Sequence, residues 1–263
     1  MAEFTSHAPG TPSWTDLMSP DVDAAVAFYT AVFGWDAEDQ FDDNGNRVYV
    51  MFRLDGRSVA GLGGQAPGMD GMPAVWNTYI TTDDVAGTAA NVEAAGGAVM
   101  MPPMQVMTSG EMAVFSDPTG AAFSVWKPGD HIGAEVGNVA NTMGWNELMT
   151  RDLDAALAFY SSVFGWEYMA QDMGPGGTYN VITGGTNDEG MGGIMAMPPD
   201  VPEQVPNHWA VYFTVDDIDA TVAAVTANGG AIMQEPFTIP GVGTSCVVHD
   251  PQHGAFQLMQ PEG

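Results

Sequence analysis

The sequence predicts an α+β protein of two tandem domains, each made of two strand-helix-strand-strand-strand units. Three observations carry this. The stretch "AFYTAVFGWD" returns as "AFYSSVFGWE" a little over a hundred residues later. The match extends well beyond that helix: "GTPSWTDLMSPDVDAAVAFYTAVFGW" aligns with "NTMGWNELMTRDLDAALAFYSSVFGW" at an offset of 131, and "PAVWNTYITTDDVAGTAANVEAAGG" with "PNHWAVYFTVDDIDATVAAVTANGG" at 133. Six of the seven tryptophans pair between the halves on these offsets, Trp14 with Trp145, Trp35 with Trp166 and Trp76 with Trp209. A period this long indicates duplicated domains, not a solenoid of short repeats.

Each element has a local reason. Ser19-Pro20 predicts an N-cap and a first-turn proline ahead of a helix. Val22, Ala25, Val26, Tyr29, Val32 and Phe33 form its apolar stripe, and Gly34 ends it. A second helix is expected from Asp83 to Ala95, stopped by Gly96-Gly97. A short strand precedes each helix, and β-rich runs such as "RVYVMFRL" and "EMAVFSD", separated by turn residues, follow. The domains are expected at 8–127 and 143–261, joined by a linker at 128–142. The Phe and Trp that close the repeated helix read as packing residues.

Composition narrows the function. The 263 residues are 45% hydrophobic, and no apolar run is long enough to span a bilayer. The start, "MAEFTSHAPG", carries no signal-peptide pattern, and a single cysteine, Cys246, fits a reducing compartment, so a cytoplasmic location is expected. Asp and Glu number 33 against 5 Lys and Arg, a formal net charge of -28. Such a surface repels phosphate backbones and anionic lipid, so neither nucleic acid nor membrane is an expected partner. The charge itself speaks first to solubility, and secondarily to attraction of cationic ligands.

"SPDVDAAVAFYTAVFGW", "TTDDVAGTAANVEAAGG" and "SDPTGAAFSVW", with their second-half equivalents, resemble the vicinal oxygen chelate superfamily: glyoxalase I, bleomycin-resistance proteins and extradiol dioxygenases. The resemblance covers nearly the whole chain and is strongest to tandem actinobacterial members. It implies that each pair of βαβββ units curls one mixed sheet into a cup with helices outside. It also implies a divalent metal held by residues on the first and last strands of each unit. Carried over residue by residue, that site is not kept. The ligand positions fall on Trp14, Asn77 and Ser124 in the first domain and on Trp145, Ala210 and Gln257 in the second. The fourth-strand position lies within "VAGLGG" or "GMGGIMA", without a carboxylate. Metal chemistry needs imidazole, carboxylate or thiolate donors, so no metal and no cofactor are expected.

Side chains alternate along a strand, so residues two away from each old ligand share the cup. Trp14, Asp16, Asn77, Tyr79, Ser124 and Trp126 are the candidate ligand-binding residues of the first cup. Trp145, Tyr212 and Gln257 play that part in the second, with Glu147 and His208 as candidate catalytic residues. Asp16 and Glu147 are equivalent carboxylates on apolar strands, where burial demands a partner. Antiparallel pairing of the first and fifth strands is expected to set Glu147 beside His208 and Asp16 beside Val75. His7, His131, His249 and His253 read as tail, linker and turn residues, and Cys246 as a small buried apolar side chain. The Pro-flanked Met101, Met104 and Met197 suit a pocket mouth or a domain contact.

These features favour a metal-independent small-molecule binder holding an apolar or aromatic metabolite or antibiotic, with a cationic one suited by the acidic surface. The alternatives are an isomerase or lyase moving a proton next to a carbonyl with Glu147 and His208, or a glyoxalase-like metalloenzyme with relocated ligands. The oligomer expected is a monomer whose domains form an internal pseudo-dimer, or a homodimer.

Overall fold

The protein is described by a computed structural model covering residues 2–65, 68–69, 71–184 and 190–262. β1 (Pro12–Ser19) leads into α1 (Val22–Phe33), then β2 (Asp36–Phe41), β3 (Arg47–Leu54) and β4 (Arg57–Gly64). The order returns as β5 (Val75–Thr81), α2 (Val85–Ala94), β6 (Ala98–Val106), β7 (Gly110–Ser116) and β8 (Ala122–Pro128). The second half repeats it with β9 (Thr142–Thr150), α3 (Leu153–Phe164), β10 (Glu167–Asp172), β11 (Thr178–Thr183) and β12 (Gly193–Ala196). Its last unit is β13 (His208–Thr214), α4 (Ile218–Ala227), β14 (Ala231–Ile239), β15 (Gly243–His249) and β16 (Ala255–Pro261).

Each half builds one eight-stranded mixed sheet, in the orders β2-β3-β4-β1-β5-β8-β7-β6 and β10-β11-β12-β9-β13-β16-β15-β14. At the centre β1 runs antiparallel to β5, while β1–β4 and β5–β8 are parallel. The α+β class and the four βαβββ units are therefore those the sequence predicts.

The helix start differs by two residues from the expected cap. Ser19 ends β1, and Asp21 caps α1 by accepting from the Ala24 N–H at 3.0 Å; Asp152 does the same for α3 with Ala155 at 3.1 Å. An aspartate in extended backbone is a better N-cap than a serine still committed to the strand. Both helices end on a left-handed glycine, Gly34 at φ 68° and Gly165 at φ 70°, as expected.

The two halves pack across reciprocal cores. Phe28, Tyr29 and Phe33 of α1 join Phe213, Cys246, Val248 and Phe256 of the second sheet in one buried cluster. Phe159 and Tyr160 of α3 join Ile80, Phe115 and Phe123 of the first sheet in another. The Phe33 and Phe213 rings lie 5.0 Å apart, and Phe123 and Tyr160 5.5 Å. Burying each such side chain contributes about 1.5–3 kcal/mol, so Phe33→Ala would cost roughly 3–5 kcal/mol.

The closing tryptophans finish the exchange. Trp35 donates its indole N–H to the Asn141 carbonyl at 2.7 Å, and Trp166 donates to Gly10 at 2.8 Å. Each residue sits in one half and bonds backbone just ahead of the other half's first strand. The Phe-Gly-Trp repeat is thus a packing device between domains. Cys246 is fully buried and free, as its apolar reading implies.

Candidate functional site

Strand alternation sends Leu17 toward the inter-domain core and leaves Trp14, Asp16 and Met18 on the opposite, concave face of the first sheet. There Asp16 is buried and accepts three hydrogen bonds: from Asn77 Nδ2 at 2.9 Å, Tyr79 OH at 2.9 Å and Tyr49 OH at 3.0 Å. Trp14 Nε1 donates in turn to the Tyr49 hydroxyl at 3.1 Å, and Ser124 hydrogen-bonds Tyr79. Burial pushes the Asp16 carboxyl up from its ordinary value, opposed by its three donors. Burial, with the neighbouring carboxylate, raises the pKa of both tyrosines well above the usual phenol value, so both stay protonated donors.

The second cup repeats this cluster. Tyr212 OH donates to Glu147 Oε1 at 2.8 Å, Tyr179 also hydrogen-bonds Glu147, and Trp145 Nε1 donates to the Tyr179 hydroxyl at 2.7 Å. Gln257 hydrogen-bonds Tyr212 as Ser124 does Tyr79. Burial again raises the Glu147 carboxyl, opposed by its two tyrosines.

The glycines on the fourth strand of each domain explain the approach. Gly61 lies opposite Asp16 and Gly193 opposite Glu147. A Cβ on Gly61 would overlap the Tyr49 hydroxyl, and one on Gly193 the Tyr179 hydroxyl. The tyrosine ring reaches the carboxylate only because the strand beneath it carries no side chain.

The two cups differ in the exposure of two equivalent side chains. In the first, Trp14, Tyr79 and Trp126 pack together with Ala134 and with Met51, Val106 and Met112. His131, from the segment after β8, sets its ring edge-on against Trp14 at 4.5 Å and lies 5.7 Å from Trp126, whose indole N–H donates to the His131 carbonyl at 2.9 Å. His131 thus covers Trp14 in the first cup. In the second, Trp145 and Met259 are partly buried where Trp14 and Trp126 are buried, while Met149, Tyr179 and Ala210 are partly buried just as Met18, Tyr49 and Asn77 are.

The register corrects one expectation. Trp14 lies opposite Tyr79, and Asp16 opposite Asn77; in the second sheet Glu147 lies opposite Ala210 and His208 opposite Met149. The approximate twofold passes between Thr15 and Thr78, so the old ligand positions are diagonal neighbours, not opposite ones. Asp16 therefore meets Asn77, not Val75, and Glu147 is not paired with His208. His208 sits at the first residue of β13 with Nδ1 on the Pro206 carbonyl at 2.8 Å. Sequence reasoning missed Tyr49, Tyr179 and His131. The tyrosines had a usable signal: they occupy equivalent strands in "RVYVMFRL" and "GTYNVIT". Of the Pro-flanked methionines, Met104 is exposed and Met197 buried.

Among the described residues, neither cup offers a donor set suited to a divalent ion. Among these residues each cup has one carboxylate, already hydrogen-bonded by phenols that burial keeps protonated and flanked by indole, amide or hydroxyl groups. Among the described residues no three His, Cys, Asp or Glu side chains converge as a ligand set, and imidazole, carboxylate or thiolate clusters are what such ions require. Among these residues, too, no helix is long and apolar enough to cross a membrane.

Comparison with known proteins places these cups. Residues 11–125 and 136–258 each match the model of the Glyoxalase/Bleomycin resistance protein/Dioxygenase superfamily. The chain is 43% identical over 262 residues to "Putative glyoxylase CFP32" of Mycobacterium tuberculosis, covering 99% of this chain and 98% of that one. It is 39% identical over 276 residues to "Anthracycline biosynthesis protein DnrV" of Streptomyces peucetius, covering 98% and 95%. The Mn(II)-bound glyoxalase of Novosphingobium aromaticivorans shares the fold at a TM-score of 0.65 and 17% identity, covering 96% of this chain and 82% of that one. Two family matches on two βαβββ pairs, with relatives spanning the full length, mean that the chain belongs to the Glyoxalase/Bleomycin resistance protein/Dioxygenase superfamily.

Proposed function

We propose that this protein binds a small apolar or aromatic molecule in a cup without a divalent metal. The observation that supports it is the carboxylate–tyrosine–tryptophan cluster on the concave face of each sheet. Asp16 with Tyr49, Tyr79 and Trp14, and Glu147 with Tyr179, Tyr212 and Trp145, put phenols and indoles where superfamily resemblance implies metal ligands. Aromatic walls with a few directed polar groups suit a small-molecule pocket. One relative, an "Anthracycline biosynthesis protein", carries a name that fits handling of a small molecule. Binding of an antibiotic or related metabolite in a cytoplasmic setting is the version we favour.

A second reading has one observation behind it. Burial raises the Glu147 carboxyl, as suits a general base or acid. It would work with Tyr179 or Tyr212 instead of His208. Elemental mass spectrometry on protein purified without chelator or histidine tag, before and after incubation with Zn, Mn, Fe(II), Ni and Co, tests the proposal. Less than about a tenth of an equivalent throughout is expected; near one equivalent per chain or per domain refutes it. Consumption of a bound molecule, in place of its recovery intact, favours the second reading.

A further inference from the structure

We infer that the second cup is the one that takes the ligand, and that the ligand is a planar aromatic molecule carrying an N–H or O–H donor that meets Glu147 where Asn77 meets Asp16. The inference rests on the small-molecule reading above and adds which cup works and what its ligand must carry.

The two carboxylates are equivalent, but their supply of donors is not. Asn77 Nδ2 gives Asp16 a hydrogen bond at 2.9 Å from directly across the strand pair. Ala210 stands in that place opposite Glu147 and has no donor to give. A carboxylate offers about four acceptor sites, and among the described residues Glu147 takes its side-chain hydrogen bonds from two phenols, without the amide. Ala210 ends in a methyl group where the first cup carries the longer Asn77 side chain. A ligand donor entering there would complete the first cup's pattern.

The aromatic part follows from what the first cup already holds. Its tryptophan packs perpendicular to a planar nitrogen heterocycle, the His131 ring, supplied by the chain itself. Trp145 is partly exposed where Trp14 is buried, and Met259 replaces Trp126. The first cup thus shows the kind of ring that its tryptophan accepts, and the second presents that tryptophan to an outside molecule.

Indole and benzofuran test this on the full chain, since they are nearly isosteric and differ in the ring N–H. Titration by calorimetry, with the Trp145 and Trp14 indole N–H resonances followed by NMR, reads both affinity and place. Indole is expected to bind about tenfold more tightly than benzofuran, the effect of one hydrogen bond to the Glu147 carboxyl group, and to shift Trp145 but not Trp14. Ala210→Asn, checked for folding by thermal melting, is expected to abolish the preference. Equal affinity for the two probes, or a response at Trp14 instead of Trp145, overturns the inference and leaves the small-molecule reading standing. Binding of neither probe at millimolar concentration likewise overturns the inference, while metal content remains the separate test of the small-molecule reading. The wild-type comparison needs no variant to fold.

Discussion

Tyr29 of the first domain donates its phenolic hydrogen to Asp250 of the second at 2.9 Å while accepting from the Trp76 indole at 3.0 Å. The reciprocal set is present too: Tyr160 donates to Asp117 at 3.2 Å and accepts from Trp209 at 2.9 Å. All of these groups are buried. A buried polar chain is stable only when each member is satisfied, so each tyrosine is a joint on which two other groups depend.

Tyr29→Phe leaves the Trp76 N–H without its acceptor and deprives Asp250 of one donor, though the Gln252 and Gly254 N–H groups still serve that carboxylate. The expected loss is about 1–3 kcal/mol, with Tyr160→Phe of similar size. Urea unfolding at constant m-value measures it. A change within about 0.5 kcal/mol in both would show that the joints contribute little.

Gly61→Ala and Gly193→Ala force a methyl group into the tyrosine hydroxyl above each. Overpacking costs about 1–3 kcal/mol, and Tyr49 or Tyr179 should leave its carboxylate. A lowered melting temperature together with changed fluorescence from Trp14 or Trp145 is expected. Unchanged fluorescence in both variants would argue against the tyrosine placement.

His131 gives a pH dependence of known sign. Burial pushes its imidazole down to about 4, with Glu135 opposing and Arg53 and His7 adding to the fall. A histidine depressed from about 6.5 contributes stability that is complete above that value and is lost as pH falls toward 4. NMR titration should show the His131 ring neutral until near pH 4, and His131→Phe should flatten the stability curve between pH 6.5 and 4. Ordinary titration near 6.5 would place the ring outside the cup.

Glu147 acts in the opposite direction. Its carboxyl is raised in the fold, so the folded state holds the proton more tightly than the unfolded chain. The cost of burying the charge is full above the folded value and is relieved as pH falls through it. Wild type should therefore gain stability relative to Glu147→Gln as pH falls through the folded value toward the ordinary glutamate value, read by urea unfolding at each pH. A gap that stays constant at every pH above the ordinary glutamate value at which the protein remains folded would mean the carboxyl is not raised.

The fold was legible because duplication is written into the chain at fixed offsets and because helix stripes, glycine stops and alternating strands agree with it. The resemblance carried the cup geometry. Register was less legible. Hydrophobic alternation shows which residues share a face but not which stand opposite across β1 and β5, and bulges between Pro12 and Trp14 and between Met143 and Trp145 disturb any simple count. Tyr49 and Tyr179 escaped because their strand reads as apolar and because the glycines that admit them lie on a different strand. His131 escaped because a histidine in a Gly- and Pro-flanked stretch gives no local sign of turning back onto Trp14.

The joints between the halves are the same residue types twice over, Tyr29 and Tyr160, Trp76 and Trp209, Asp250 and Asp117, Trp35 and Trp166, whereas the cups have parted at Asn77 and Ala210, Ser124 and Gln257, Trp126 and Met259. In a homodimer of single domains every substitution appears in both subunits, so a change that sharpens one pocket must also alter its twin. Fusion of the copies into one polypeptide removes that bond. One half is free to become a closed, stabilising partner while the other varies its chemistry, and the shared seam holds the pair together throughout.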